Sequence, residues 1–180
     1  MRAIRAISAI SAISAMCAFT PLLRAQTQPA TVILVRHAEK EAEPKADPPL
    51  SAIGRARAAA VVEMLRDAGV DVVYHSNRLR TFETARALGD SLKVALVEVP
   101  LTKLDPWVAD LVARVRKDGG GKVSVIVGHS NTYAPVITAL GGPQIEEIAD
   151  PRYDDVFILT VQDGKPTRMV RAKYGERWTH

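Results

Sequence analysis

The chain has 180 residues, 47% of them hydrophobic and 24% charged. That balance excludes a disordered polypeptide and sets one globular domain as the expectation. The formal charge of +4 would suit a nucleic-acid binder only if the excess lay in the folded part, and it does not. Met1 is followed by Arg2 and Arg5, then by an apolar, small-residue run from Ala6 to Leu23 without a carboxylate, closed by Pro21 and Arg24. This pattern predicts a signal peptide over residues 1–25, cleaved after Ala25, and hence an exported protein, periplasmic or secreted. An uncleaved membrane anchor is the alternative, although three serines and a proline suit a spanning helix poorly. Met16 ahead of Cys17 argues against a lipid anchor. Losing residues 1–25 removes three arginines and no acid, leaving 21 Lys+Arg against 20 Asp+Glu, a net +1. The only cysteine leaves as well, which excludes an intrachain disulfide and a cysteine nucleophile.

Residues 26–30 read as a polar spacer and 31–180 as the folded domain. Thr31 to Val35 is a wholly apolar, β-branched run, as expected of a strand buried on both faces. Glu39 to Pro49 is charged and proline-rich, a solvated loop. Ser51 is set to cap a helix whose apolar face carries Ile53, Ala56, Ala60, Met64, Leu65 and Ala68, ended by Gly69. A second strand follows over Val70–Tyr74, a helix over Arg80–Ser91 and a third strand over Val94–Val99. The next helix, Pro106–Lys117, stripes Trp107, Leu111 and Val115. Three consecutive glycines from Gly119 break it before a fourth strand, Val123–Val127, and a helix from Thr132 to Leu140. Val156–Val161 and Arg168–Lys173, joined by Asp163 and Gly164, close the chain as a strand pair. Alternating strands and helices predict an α/β three-layer sandwich: a mostly parallel sheet with helices on both faces and that strand pair at the end.

In such sheets the ligand site lies beyond the carboxyl ends of the strands. The first strand runs into Arg36 and His37. The second runs into His75 and Ser76, with Arg80 opening the next helix, and the fourth into Gly128, His129 and Ser130. Taken singly, each has an ordinary structural explanation. Together they place two arginines and two histidines on one rim, an anion site containing a nucleophile. Arg80 also stands at the positive end of a helix dipole, where a cation is unfavourable without a task.

These segments resemble the histidine phosphatase (phosphoglycerate-mutase-like) superfamily. Leu34-Val-Arg-His-Ala-Glu-Lys40 is similar to that family's Arg-His signature, and Leu50-Ser-x-x-Gly54 to the start of its first helix. Ser76-Asn-Arg-Leu-Arg-Thr-Phe-Glu-Thr-Ala85 resembles its Ser-Pro-x-x-Arg-x-x-x-Thr-Ala element, and Val127-Gly-His-Ser-Asn131 its second-histidine motif. Order and spacing agree from about residue 31 to residue 140. Two positions depart: Ala38 stands where glycine is common, and Asn77 replaces the usual proline, which would loosen the turn before Arg80. The resemblance implies that His37 attacks phosphorus and carries a phosphohistidine. Arg36, Arg80 and a protonated His129 would bind the phosphoryl group, by bidentate forks and charge. It also implies a proton donor just after the third strand, where Asp105 fits and Glu98 competes. Ser76 and His75 lie close enough on the rim to touch phosphate.

No cofactor is expected, and no metal, because four histidines without a paired ligand spacing suit zinc poorly. Asp154 and Asp155 read as solvated acids ahead of an edge strand. Gly128 to Thr132 lacks the second glycine of a nucleophile elbow, and neither a Walker A sequence nor G-x-G-x-x-G is present. The expected partner is a phosphorylated small molecule or phosphoprotein, with no nucleic acid and no lasting membrane association. The 29 residues between Val99 and His129 are too few for the lid that many relatives of this kind insert, which implies an open pocket and a short, lid-less branch. A mutase-type phosphotransferase and a non-catalytic phosphate-binding module on the same fold remain the alternatives.

Overall fold

The computed structural model describes residues 28–177; the expected leader, Cys17 and the start of the spacer lie outside them. Eleven elements follow in order: β1 (Ala30–Arg36), α1 (Ala52–Leu65), β2 (Val72–His75), α2 (Leu79–Leu92), β3 (Ala95–Glu98), α3 (Leu104–Asp118), β4 (Val123–Gly128), a 3-10 turn (Ser130–Thr132), α4 (Tyr133–Ala139), β5 (Asp155–Val161) and β6 (Arg168–Lys173). The six strands form one sheet in the order β3-β2-β4-β1-β5-β6. The first four run parallel, whereas β5 is antiparallel to β1 and β6 to β5. The sheet is therefore mixed, with a parallel heart and the expected antiparallel pair along one side. Among the described residues no helix is long and apolar enough to cross a membrane.

The apolar run of β1 is explained by the layering. Val32 and Leu34 enter one core with Tyr74, Trp107, Leu111, Ile126 and Ile137, beneath α3 and α4. Ile33 and Val35 enter the other with Val61, Leu65, Val73, Leu88 and Val127, beneath α1 and α2. Successive side chains point to opposite faces of a strand, so a strand covered twice has no polar position to spare. α1 stops at Leu65 rather than reaching Ala68, because Arg66 and Ala68 donate to the carbonyls of Glu63 and Leu65. Those three-residue bonds tighten the chain into a turn.

Two loops are pinned beside the sheet's carboxyl edge. Ser51 caps α1, its Oγ accepting from the Gly54 N–H at 3.1 Å, while its own N–H donates to the Glu39 carbonyl at 2.9 Å. Gly54 makes this closure possible, since a Cβ there would stand 1.9 Å from the Glu39 oxygen. Glu39 is not the solvated residue expected of it: it pairs at 2.7 Å with Arg57, which is buried and also donates to the carbonyls of Tyr174 and Glu176. Asp154 and Asp155 correct the expectation in the same way, being buried against Lys173, Arg171 and Arg152. Buried carboxylates persist when cations and hydrogen bonds surround them.

Gly54→Ala should therefore destabilise the fold by about 1–3 kcal/mol, the cost of forcing atoms into a closed contact. Urea unfolding of the variant would measure it, and because the displaced backbone follows His37 by two residues, activity should fall with it.

Candidate active site

The register of β1 against β4 aligns Arg36 with Gly128, and the pairing continues one step as the His37 N–H donates to the Gly128 carbonyl at 3.0 Å. His37 and His129 thus become neighbours, with ring centroids 5.2 Å apart. Gly128 has no room for a side chain, since a Cβ would meet Thr132 Oγ1 at 2.4 Å. That hydroxyl accepts from the His129 N–H at 2.9 Å and donates to the His129 carbonyl at 2.8 Å, fixing the turn. Alongside, β2 delivers Ser76 to the same place, its Oγ 3.0 Å from His129 Nε2. Ser76 Oγ lies in turn 2.9 Å from Thr81 Oγ1, which donates to the Arg78 carbonyl at 2.7 Å. The three expected strand ends do converge.

α2 supplies the fourth member. Thr84 accepts from the Ala38 N–H at 3.1 Å and donates to the Arg80 carbonyl at 2.8 Å, tying the turn after His37 to the helix. Arg80 Nε then donates to His37 Nε2 at 3.1 Å, and Arg80 Nη2 approaches His129 Nδ1 at 3.5 Å. His37 Nδ1 is 2.8 Å from the Ala38 carbonyl. A carbonyl can only accept, so Nδ1 carries the proton and Nε2 presents its lone pair. The ring is thereby held in the form a nucleophile requires, as a neutral imidazole with Nε2 directed into the cluster.

Burial first, then the charges of His129, Arg36 and Arg80, bring the His37 pKa down to about 2 against the opposing bond to Ala38. Burial with Arg80 and Arg36 brings His129 down to about 4. Both histidines are therefore neutral near pH 7 in the free protein, and the protonated His129 expected of a bound phosphoryl group needs that group's charge. A phosphate dianion between the arginines is the counter-charge that would raise the His129 pKa.

Arg36 is buried, and the segment 150–153 sits on it. Its Nη1 donates to the carbonyls of Asp150 and Arg152, the latter at 3.2 Å, and its Nη2 to the Asp150 carboxylate at 2.6 Å. The Tyr153 ring lies 4.1 Å from the Arg36 guanidinium carbon and 5.8 Å from the His37 ring, centroid to centroid. The Asp150 carboxylate, which is 88% exposed, occupies one of the two Nη2 hydrogens of Arg36, a place that an incoming anion could take. Sequence reading missed Asp150, Tyr153 and Asp47, whose Oδ1 lies 3.6 Å from Arg80 Nη1. All three sit in irregular segments without periodicity, and their contacts arise only from how those segments pack.

Among the described residues, the other expected ones make no hydrogen bond or ion pair with His37, Arg36, Arg80 or His129. His75 is buried, with Nδ1 2.8 Å from the Ser76 carbonyl and its ring 5.6 Å from that of Phe82. Glu98 is exposed and pairs in register with His75. Asp105 is exposed in the first turn of α3, where it lines a groove of about 570 Å³ with Val108, Ala134 and Pro135. Neither carboxylate makes a hydrogen bond or ion pair among the described residues. The indole N–H of Trp107 donates to the Val99 carbonyl at 2.9 Å, fastening α3 to the strand end beside it. Asn77, instead of loosening the turn, accepts from the Leu101 N–H at 3.0 Å and joins the two loops. Among the described residues no group of three or more His, Cys, Asp or Glu side chains is arranged to hold a metal ion.

The histidine charge states predict a titration. Above pH 5 neither His37 nor His129 should change its imidazole C–H chemical shifts, and His129 should titrate near 4. Saturating inorganic phosphate should move the His129 midpoint upward. Both folded values lie below the unfolded value of about 6.5. Their contribution to stability is thus complete above pH 6.5 and lost as the pH falls toward 4 and below. A midpoint near 6.5 for either ring in the free protein would refute this electrostatic picture.

The sequence profile of the histidine phosphatase superfamily (branch 1) matches residues 32–104, spanning β1 to the start of α3. No curated relative matches the chain by sequence. Among solved structures, the protein histidine phosphatase SixA in complex with tungstate superposes with a TM-score of 0.63 at 15% identity, covering 79% of this chain and 96% of that one. YhfR of Bacillus stearothermophilus gives 0.62 at 17%, covering 78% and 95%. A mycobacterial glucosyl-3-phosphoglycerate phosphatase gives 0.60 at 17%, covering 79% and 97%. At these identities the structures share the fold.

Proposed function

We propose that this chain, which belongs to the histidine phosphatase superfamily, is a phosphatase that hydrolyses phosphate monoesters or phosphoprotein phosphate through a phosphohistidine on His37. The observation that carries the reading is the state of His37. Its Nδ1 proton is committed to the Ala38 carbonyl and its Nε2 lone pair faces Arg80. In this reading the substrate phosphoryl group enters between Arg36, Arg80 and His129. Arg80 Nε–H, held in place, gives up its bond to His37 Nε2 for one to a phosphoryl oxygen, and Arg36 Nη2 offers a donor where the Asp150 carboxylate lies. Charge on the transferring group is then met by fixed donors, the largest contribution the protein makes to such chemistry.

His37 Nε2 attacks phosphorus as the bond to the leaving oxygen breaks, and a carboxylic acid gives that oxygen a proton. Water then attacks the phosphohistidine, the P–N bond breaks and the carboxylate takes the proton from water, restoring neutral His37. Asp105 is the acid favoured here, with Glu98 the competitor. No step is routed through a metal. The reading includes export after removal of residues 1–25. Two of the similar structures are a protein histidine phosphatase and a glucosyl-3-phosphoglycerate phosphatase, so the proposal keeps both a phosphoprotein and a phosphorylated small molecule as substrates. The connection between β3 and β4 holds α3 and no lid, which favours a large substrate.

Brief exposure to an aryl phosphate labelled in its phosphoryl group should leave acid-labile, alkali-stable label on His37. The His37→Ala variant should lose both label and turnover, by a factor of at least about 10³ if the nucleophile is essential. Wild-type turnover in that variant would sink the reading, and tight vanadate binding without any turnover in the native protein would favour a phosphate-binding module.

The proton donor has its own test. Asp105→Asn should slow alkyl phosphates about 10²-fold and aryl phosphates far less, because only the poor leaving group needs protonation. The same selectivity in Glu98→Gln would assign the role to Glu98.

A further inference from the structure

α2 begins without a cap of its own. Arg78, at its N-cap, makes no side-chain hydrogen bond to the helix, and the first turn contains no acid. Arg80 adds a cation where the helix dipole is already positive. The missing anion comes from another segment. Both carboxylate oxygens of Asp47, in the loop between β1 and α1, accept the Leu79 N–H at 3.0 and 3.1 Å. Oδ1 of the same carboxylate lies 3.6 Å from Arg80 Nη1. Asp47 thus grips α2 at the residue before Arg80 and at the far end of the Arg80 side chain.

The three nitrogens of Arg80 divide accordingly. Nε meets His37 Nε2, Nη2 faces His129 Nδ1 and Nη1 faces Asp47. A guanidinium is planar and rigid, so holding Nη1 on one side sets the direction of the edge formed by Nε and Nη2. That edge is the one turned toward the two histidines. At 38% exposure the ion pair alone is weak. Its effect lies in orientation, because the two bonds to the Leu79 N–H fix where the carboxylate stands. The loop carrying Asp47 is itself held near the nucleophile by the Glu41 N–H to the Pro49 carbonyl and by the Leu50 N–H to Glu83.

From this geometry we infer that Asp47 is a positioning residue for the phosphate clamp: it holds the Arg80 guanidinium with its Nε and Nη2 edge toward the anion. The inference rests on the phosphatase reading, but its test does not need turnover. Vanadate binding to the full chain, measured by calorimetry, should weaken on the order of tenfold in Asp47→Ala. Asp47→Asn, which keeps an acceptor for the Leu79 N–H but not the charge, should show a smaller loss. In an Arg80→Ala background the Asp47 substitutions should have almost no further effect, since residues acting through one another are not additive. If Asp47→Ala does not fold, Asp47→Asn completes the same cycle alone. Wild-type vanadate affinity in both variants would overturn the inference. So would equal losses with and without Arg80, or a defect confined to turnover of poor leaving groups, which would make Asp47 a proton donor. Turnover retained in His37→Ala would instead sink the phosphohistidine reading and leave this cycle standing.

Discussion

The parallel pairing of β1 with β4 is the constraint on which the site depends. It brings two strand ends out flush, Arg36 beside Gly128, so that the next residue of each is a histidine against a histidine. A slip of one residue would invert every side chain of β1 between the two cores, and both cores hold that register. His37 and its neighbour are therefore placed by the apolar residues of the two cores on either side of the sheet. This is why the residues after β1 and β4 need no regular structure of their own. Backbone bonds to Gly128 and Thr132 hold what the sheet has already aimed.

Much of this could be read from the chain. A strand such as β1, apolar at every position, can only lie between two covered faces, and the three strand ends carrying arginine and histidine stand out against it. Thr84, in the segment that follows Ser76, proves to be the link from α2 to Ala38. What could not be read were the contacts of the loops. Glu39, Asp154 and Asp155 look solvated in a sequence because acids in loops usually are. Their burial depends on Arg57 and on the basic residues of β6, which come from elsewhere in the chain. Asp47 and Asp150 belong to the same class: nothing in a proline-rich loop signals which carboxylate will face an arginine.

The two acids give the resting site an electrostatic logic. Two buried or half-buried arginines beside two neutral histidines would be a cluster of uncompensated positive charge, costly in a low dielectric, if no acid lay against them. Asp150 lies against one arginine and Asp47 against the other. Their exposures separate their tasks. Asp150, almost wholly exposed, gains little from its pair and yields readily to a dianion. Asp47 is also bonded to the helix backbone, so releasing it would cost the Leu79 N–H its partner. Under the proposed function the first carboxylate would give way to the anion and the second would stay.

The histidines divide in a comparable way. His37 takes no proton near neutrality, and under the proposed mechanism it would need none: its Nδ1 bond to Ala38 is compatible with attack, with a phosphohistidine and with its hydrolysis, so one tautomer would serve the entire cycle. His129 is held neutral only by burial and by the arginines beside it. A dianion cancels the second cause while leaving the first. Its Nε2 already meets Ser76, which leaves Nδ1 to meet the anion, and that contact requires a proton on Nδ1. Binding of the phosphoryl group and protonation of His129 are thus coupled, each making the other more favourable. Under the proposed mechanism the positive charge that stabilises the transferring group would be completed by the arrival of that group.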